Sequence, residues 1–219
     1  NLEFLSKALS LLPEVKETLV PPKEGQFFSK PLGKGDSVTI DFGKHLVGHL
    51  QVKMGYVNSH PDAPVWIRFS FAENLKEFEE NVENYQGWIC SAWVQQEQLH
   101  FDLIPGEYTL PRRYSFRYVK IDILDISSKF NLVIEDVMAI ALSSADDSKL
   151  KPYHNVHKEL EQIDHIACHT LHDCMQKVFE DGPKRDRRLW MGDLRLQALA
   201  NYETYQMNDM VKGCLYLFA

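Results

Sequence analysis

Ser37-Val38-Thr39-Ile40-Asp41-Phe42, His49-Leu50-Gln51-Val52-Lys53-Met54 and Val65-Trp66-Ile67-Arg68-Phe69-Ser70-Phe71 alternate apolar with polar residues at a strict period of two. The same habit returns in Gln98-Leu99-His100-Phe101-Asp102-Leu103 and in Tyr118-Val119-Lys120-Ile121-Asp122-Ile123, and apolar runs follow at 132–134 and 137–142. A period of two buries one face of a strand and wets the other, as in antiparallel sheets. Six or more such strands with no helical period between them predict an antiparallel β-sandwich, jelly-roll-like in type, over residues 36–146. The acidic stretch 73–83 reads as a solvated loop or a short helix between strands.

On the N-terminal side, Leu2, Leu5, Leu9 and Leu12 give a short apolar period. It reads as a helical turn or two that feeds a Pro/Gly/Lys connector (Pro21, Pro22, Lys23, Gly25, Pro31, Gly33, Gly35), so residues 1–35 form a helical piece and linker. On the C-terminal side, past Ser143-Ser144-Ala145-Asp146-Asp147-Ser148, the period becomes 3.6. Val156, Leu160, Ile163, Ala167, Leu171, Cys174 and Val178 make a stripe that predicts an amphipathic helix of about six turns, ending before Asp181-Gly182-Pro183. A second helical pattern runs from Leu194 to the terminus (Leu194, Ala198, Tyr202, Tyr205, Met210, Leu215), with Asp193 in the N-cap position. Two helices with this much apolar face need further partners, so residues 147–219 read as the start of a truncated helical domain. The same face predicts association of the isolated chain, a homo-oligomer being one form of it.

The chain has 219 residues with 44% apolar and 25% charged content, enough for a real core and unlike a disordered or fibrous protein. Lys plus Arg number 24 and Asp plus Glu 31, a formal charge of −7 that argues against a nucleic-acid partner. The longest apolar stretches fall far short of the roughly 18 residues a membrane helix needs. The first residues lack the basic flank and apolar run of a signal peptide, and Cys90, Cys168, Cys174 and Cys214 are scattered without a C-x-x-C pair. Both features point to reduced thiols and a cytoplasmic location.

The densest chemistry lies between the two helical patterns, in Asp181-Gly182-Pro183-Lys184-Arg185-Asp186-Arg187-Arg188-Leu189-Trp190-Met191-Gly192-Asp193. Carboxylates can protonate a leaving oxygen or hold sugar hydroxyls, Arg can orient them bidentately, and Trp offers a flat apolar face to a sugar ring. The segment reads as a polyol or glycoside site, set against the plainer reading of a turn, a helix cap and a solvated ion-pair loop.

This segment resembles the signature of bacterial α-L-rhamnosidases, the inverting enzymes of glycoside hydrolase family 78, where it falls between the first two helices of an (α/α)6 barrel. Two upstream stretches are similar to strands of that family's preceding β-sandwich: Ile40-Asp41-Phe42-Gly43-Lys44-His45-Leu46-Val47-Gly48, and Arg112-Arg113-Tyr114-Ser115-Phe116-Arg117-Tyr118-Val119. The resemblance spans about residues 36–212. It implies hydrolysis of terminal α-L-rhamnosides by acid/base chemistry without a cofactor, the partner being a rhamnose-containing glycoside or oligosaccharide. It further implies that Asp181 binds rhamnose hydroxyls, Arg185 orients substrate or carboxylate, and Trp190 lines the sugar subsite. Asp186 stands where many relatives carry the Glu assigned as general acid. Asp193 matches the Gly-Asp carboxylate that contacts the sugar and is the other candidate for the acid. In the family the general base is a Glu on a much later helix. Glu203, the only Glu beyond the motif, sits on the second helix instead, so the chain is expected to hydrolyse nothing alone.

Other signals read more plainly. His165, His169 and His172 at i, i+4 and i+7, with His154 and His157 before them, admit a zinc site, but no HExxH or Cys pair accompanies them. They read as solvated or packing histidines, with no metal expected. Trp66, Trp88, Trp93 and Tyr85 admit a carbohydrate-binding face, which supports the alternative of a non-catalytic carbohydrate-binding or interaction module.

Overall fold

The alternation at 37–42 and 49–54 belongs to one strand. β3 (Ser37–Asn58) runs for 22 residues and serves two sets of neighbours. The structure, a computed structural model, describes residues 2–23, 30–79, 82–151 and 153–219. Its other strands are β1 (Lys16–Val20), β2 (Pro31–Leu32), β4 (Val65–Ala72), β5 (Gln96–Phe101), β6 (Gly106–Thr109), β7 (Tyr114–Asp125) and β8 (Phe130–Ser143). They hydrogen-bond in the order β1-β8-β3-β7-β4-β5, with β2 on β8 and β6 on β3, and the registered pairs of β2 to β8 are antiparallel.

The first half of β3 pairs with β7, from Ser37↔Asp122 to Gly48↔Tyr114, and the second half with β8, from Gly48↔Ala141 to Asn58↔Phe130. The register slips between Asp41 and Leu46, where Gly43 takes φ +79°, so the strand turns from one group of partners to the other. A bulge that re-aims a strand is how a sheet folds over on itself. Gly48 lies at the pivot with partners on both sides, and a Cβ there would run into the Ile140 carbonyl. The two parts enclose one core. Leu50, Val52 and Met54 of β3 join Ile67 and Phe69 of β4, Phe116, Val119 and Ile121 of β7, and Leu132, Ile134 and Val137 of β8, each essentially out of water. Burying one such aliphatic or aromatic side chain is worth about 1.5–3 kcal/mol.

The two upstream motifs meet across β3 and β7. Arg117 Nε and Nη2 donate to the two carboxylate oxygens of Asp41 at 2.8 and 2.9 Å, and its guanidinium lies over the Tyr118 ring. His45 Nε2 is 2.9 Å from Ser115 Oγ. Buried Gln95 brackets the Ser115 backbone, accepting from its N–H and donating to its carbonyl, both at 2.7 Å. These residues serve the sheet.

The helices are α1 (Leu2–Leu11), α2 (Lys158–Cys174), α3 (Met191–Glu203) and α4 (Asn208–Phe218). The chain divides into two compact units, Thr18–Ala141 and the combination of Asn1–Glu17 with Leu142–Ala219. In the helical unit α1, ten residues rather than a turn or two, packs on α4. Phe4 stacks on Tyr216 at 6.0 Å, and Gly213 leaves room for Leu12. The connector expected over 21–35 falls partly on residues 24–29, and the acidic stretch partly on 80 and 81, outside the described residues; Leu75–Glu79 is a short 3-10 helix.

Three expectations for the helices need correction. α2 stops at Cys174, seven residues before Asp181. The carbonyls at its end are taken by Ser143, the last residue of β8, and by Ser144 after it: Ser143 Oγ donates to the His172 carbonyl, and Ser144 N to that of Met175. A tight reversal follows, with Met175 bridged to Phe179 and both fully buried. The stripe is only half used, since Val156 is 91% exposed and Leu160, Ile163 and Ala167 also face solvent, whereas Leu171 and Cys174 are buried. The second helix is two helices. Gln206 adopts φ +56°, and fully buried Asn201 closes the break by accepting from Met207 N at 2.9 Å and Gln206 N at 2.7 Å. Finally, Trp190 and not Asp193 is the N-cap of α3, and Asp193 lies in the first turn.

Candidate functional site

The segment between α2 and α3 is held by its own first carboxylate. Asp181 Oδ1 accepts from Gly182 N at 2.9 Å and from Arg188 N at 3.0 Å, while Asp181 N donates to the Arg188 carbonyl at 2.9 Å. The loop therefore closes on itself across seven residues. Between these anchors Asp186 and Arg187 take φ +62° and +53°, a pair of left-handed residues that Asp tolerates better than most side chains. Gln197 of α3 reaches back to donate to the Glu180 carbonyl at 2.7 Å, tying the loop to the helix it leads into.

Of the sequence-predicted residues, Asp181 is partly buried and spends one oxygen on the loop backbone. Asp186 is partly buried at the left-handed turn, with exposed Arg185 Nε 3.6 Å from its Oδ1. Trp190 is 52% exposed, its indole open beside the start of α3. Asp193 is exposed in the first turn of α3, where the unpaired N–H groups of a helix favour negative charge. The arrangement offers carboxylates, a guanidinium and an indole from one braced loop, suited to holding a polyhydroxylated ligand.

Sequence reading missed the buried acids beside this loop. Asp173 is 4% and Glu180 7% exposed. Burial, and then the charges of Asp173, Glu180, Asp181 and Asp193, push the Cys174 thiol up to about 12. Two of the predicted carboxylates thus belong to a larger concentration of negative charge around that sulfur. The available signal was Asp173 directly beside Cys174 of the apolar stripe, with Glu180 between Phe179 and the motif.

His169 and His172 do come together, with Asp173 rather than with His165. A cleft of about 700 Å³, lined among others by Leu150, Tyr153, His154, Glu161 and His165, is separate from the predicted residues, none of which lines it. In the sheet unit Trp66 stacks on His100 at 5.3 Å, Trp88 is 90% exposed, and Trp93 and Tyr85 are partly buried. All four cysteines are free thiols, and among the described residues no helix is long and apolar enough to cross a membrane.

The glycosyl hydrolase family 78 alpha-rhamnosidase N-terminal domain matches residues 14–141, more than half of the sequence. The chain belongs to glycosyl hydrolase family 78. This family 78 chain is also similar in structure to a rhamnosidase from Klebsiella oxytoca with rhamnose bound, at 41% identity and a TM-score of 0.94 over 100% of this chain and 47% of that one. It therefore spans about half the length of that relative. Two further structures share the fold: the family 78 rhamnosidase of Bacillus sp. GL1 (19% identity, TM-score 0.66, 82% of this chain and 17% of that one) and the α-L-rhamnosidase of Aspergillus terreus (18%, 0.60, 92% and 22%). No curated protein matches the chain.

Proposed function

We propose that this family 78 chain is part of an α-L-rhamnosidase, in which residues 36–146 form the β-sandwich domain and residues 147–219 open an (α/α)6 barrel. The loop 181–193 supplies one wall of the sugar site. Asp186 is the general acid, with Asp193 as the alternative; Asp181 binds sugar hydroxyls, Arg185 orients substrate or carboxylate, and Trp190 lines the sugar subsite. The observation that carries this reading is the braced loop itself. Asp181 locks a turn that presents Asp186 at its left-handed corner and leaves Trp190 and Asp193 open to a ligand. The likeness to the Klebsiella oxytoca enzyme, which holds rhamnose, supports the choice of sugar.

Hydrolysis with inversion needs a second carboxylate about 6.5–9.5 Å from the acid to activate water. That base is assigned to residues outside this chain, and the 219 residues alone are expected to leave an aryl α-L-rhamnoside intact. Turnover by the isolated chain would show the base to be misplaced.

The acid is tested in the whole protein with two substrates. Loss of a proton donor is felt in proportion to the basicity of the leaving group. Asp186→Asn should therefore lower kcat on an alkyl rhamnoside by about 100-fold or more, and on a nitrophenyl rhamnoside far less. Equal loss on both substrates would make Asp186 a binding residue and transfer the role to Asp193.

A second reading, a non-catalytic carbohydrate-binding module, is favoured by the exposed Trp88 and the Trp66–His100 stack. Sugar binding that survives Asp186→Ala and Asp193→Ala but is lost in Trp66→Ala or Trp88→Ala would favour it.

A further inference from the structure

The last two turns of α2 gather a donor set that the sugar chemistry does not use. His169, His172 and Asp173 stand at i, i+3 and i+4, the spacings that place side chains on one helical face. One ligand atom from each lies within 4.8 Å of the other two. The carboxylate stands between the rings: His172 Nδ1 is 3.1 Å from Asp173 Oδ1, and His169 Nε2 is 3.6 Å from Asp173 Oδ2. The imidazoles are nearly parallel, 18° apart with centroids at 5.5 Å. Four donors set tetrahedrally around zinc at 2.0–2.1 Å are about 3.3 Å apart, a value that falls between the two separations from carboxylate to imidazole.

We propose that His169, His172 and Asp173 form a binding site for a divalent transition cation of the zinc type, with solvent completing its coordination. Two imidazoles and a carboxylate are borderline donors, which suit zinc, cobalt or nickel better than calcium or magnesium. The surroundings agree. Asp173 is 4% exposed, so its carboxylate is held out of bulk water beside the two rings. Both histidines keep about a quarter of their side-chain surface exposed, which gives an ion an entry path and open positions for water. The bound ion clips three side chains of the last two turns of α2, just ahead of the reversal that leads into the loop 181–193.

The competing account is a plain imidazole–carboxylate ion pair, and metal binding separates the two. The whole protein, stripped with a chelator, is titrated with Zn²⁺ by calorimetry and with Co²⁺ by visible absorption. The site predicts one saturable equivalent, the intense ligand-field bands of low-coordinate cobalt, and a Tm that rises with Zn²⁺ and falls back on chelation. His169→Gln and His172→Gln should each weaken binding by at least the roughly 10–100-fold that loss of an outer-shell partner costs, and remove the Tm response. His165→Gln should bind as the wild type. These histidines are partly exposed, so the variants should fold, as circular dichroism checks. Zinc uptake unchanged in His169→Gln, or no saturable uptake by the wild type, would overturn the site and leave the ion pair. Neither result bears on rhamnoside hydrolysis, which is read separately.

Discussion

At the scale of single residues, Asp41 and Arg117 show how a motif earns its place. The pairing is two-pronged across β3 and β7, and the Arg117 hydrogen bonds hold the Asp41 carboxyl below its ordinary value of 3.8. A carboxylate whose folded value is depressed adds stability that is complete above the unfolded value and is lost as pH falls through the folded one. Urea midpoints should therefore hold between pH 7 and 5 and fall below about pH 4, and Asp41→Asn should flatten that acid limb. An unchanged limb in Asp41→Asn would place the acid sensitivity elsewhere. Free thiols give a second residue-scale expectation. Cys90 is exposed, while Cys168, Cys174 and Cys214 are buried, so one thiol should label rapidly at neutral pH and Cys90→Ser should abolish the fast phase. At this scale the candidate site residues were picked out by type and order, because Asp, Arg and Trp carry their chemistry with them. The bracing role of Asp181 was not, since its acceptors' partners depend on the fold of the loop.

At the scale of elements, the strands followed their alternation closely, because a period of two survives wherever one face is buried. The helices followed theirs less well. α2 stops where tertiary partners take over the backbone, at Ser143 and Ser144, whereas the α3–α4 break is closed locally by Asn201 of α3 itself. No Gly or Pro marks the break at 204–207, so the helical period runs through it unbroken. Asn201→Ala leaves the Met207 N–H without its acceptor and should cost about 1–3 kcal/mol of stability, measured by urea unfolding. Gly48 tests the pivot of β3. Gly48→Ala must displace the Ile140 backbone and should cost about 1–3 kcal/mol, whereas Gly35→Ala, with open space around it, is strained only by its positive φ.

At the scale of the whole molecule, the two units bury their surfaces unequally. The sheet unit closes around its core, while the helical unit leaves Val156, Ile163 and Ile166 of the α2 region and Leu196 and Leu199 of α3 in water. Apolar patches of this kind drive association. The isolated chain should sediment as a concentration-dependent mixture above 25.4 kDa, and Ile163→Glu with Ile166→Glu should shift it toward the monomer. A wild-type chain that stays monomeric at high concentration would mean these faces are wet by design.

Alternation, helical period and the Asp181–Asp193 run were enough for the sequence alone to establish an antiparallel sheet followed by helices, and the family to which the chain belongs. These are local signals, since each residue reports its own exposure or chemistry. Two features were left to the tertiary structure: the turn of β3 between two sets of partners and the end of α2. Each depends on which distant backbone or side-chain atom fills a hydrogen-bond position, and that is decided by packing.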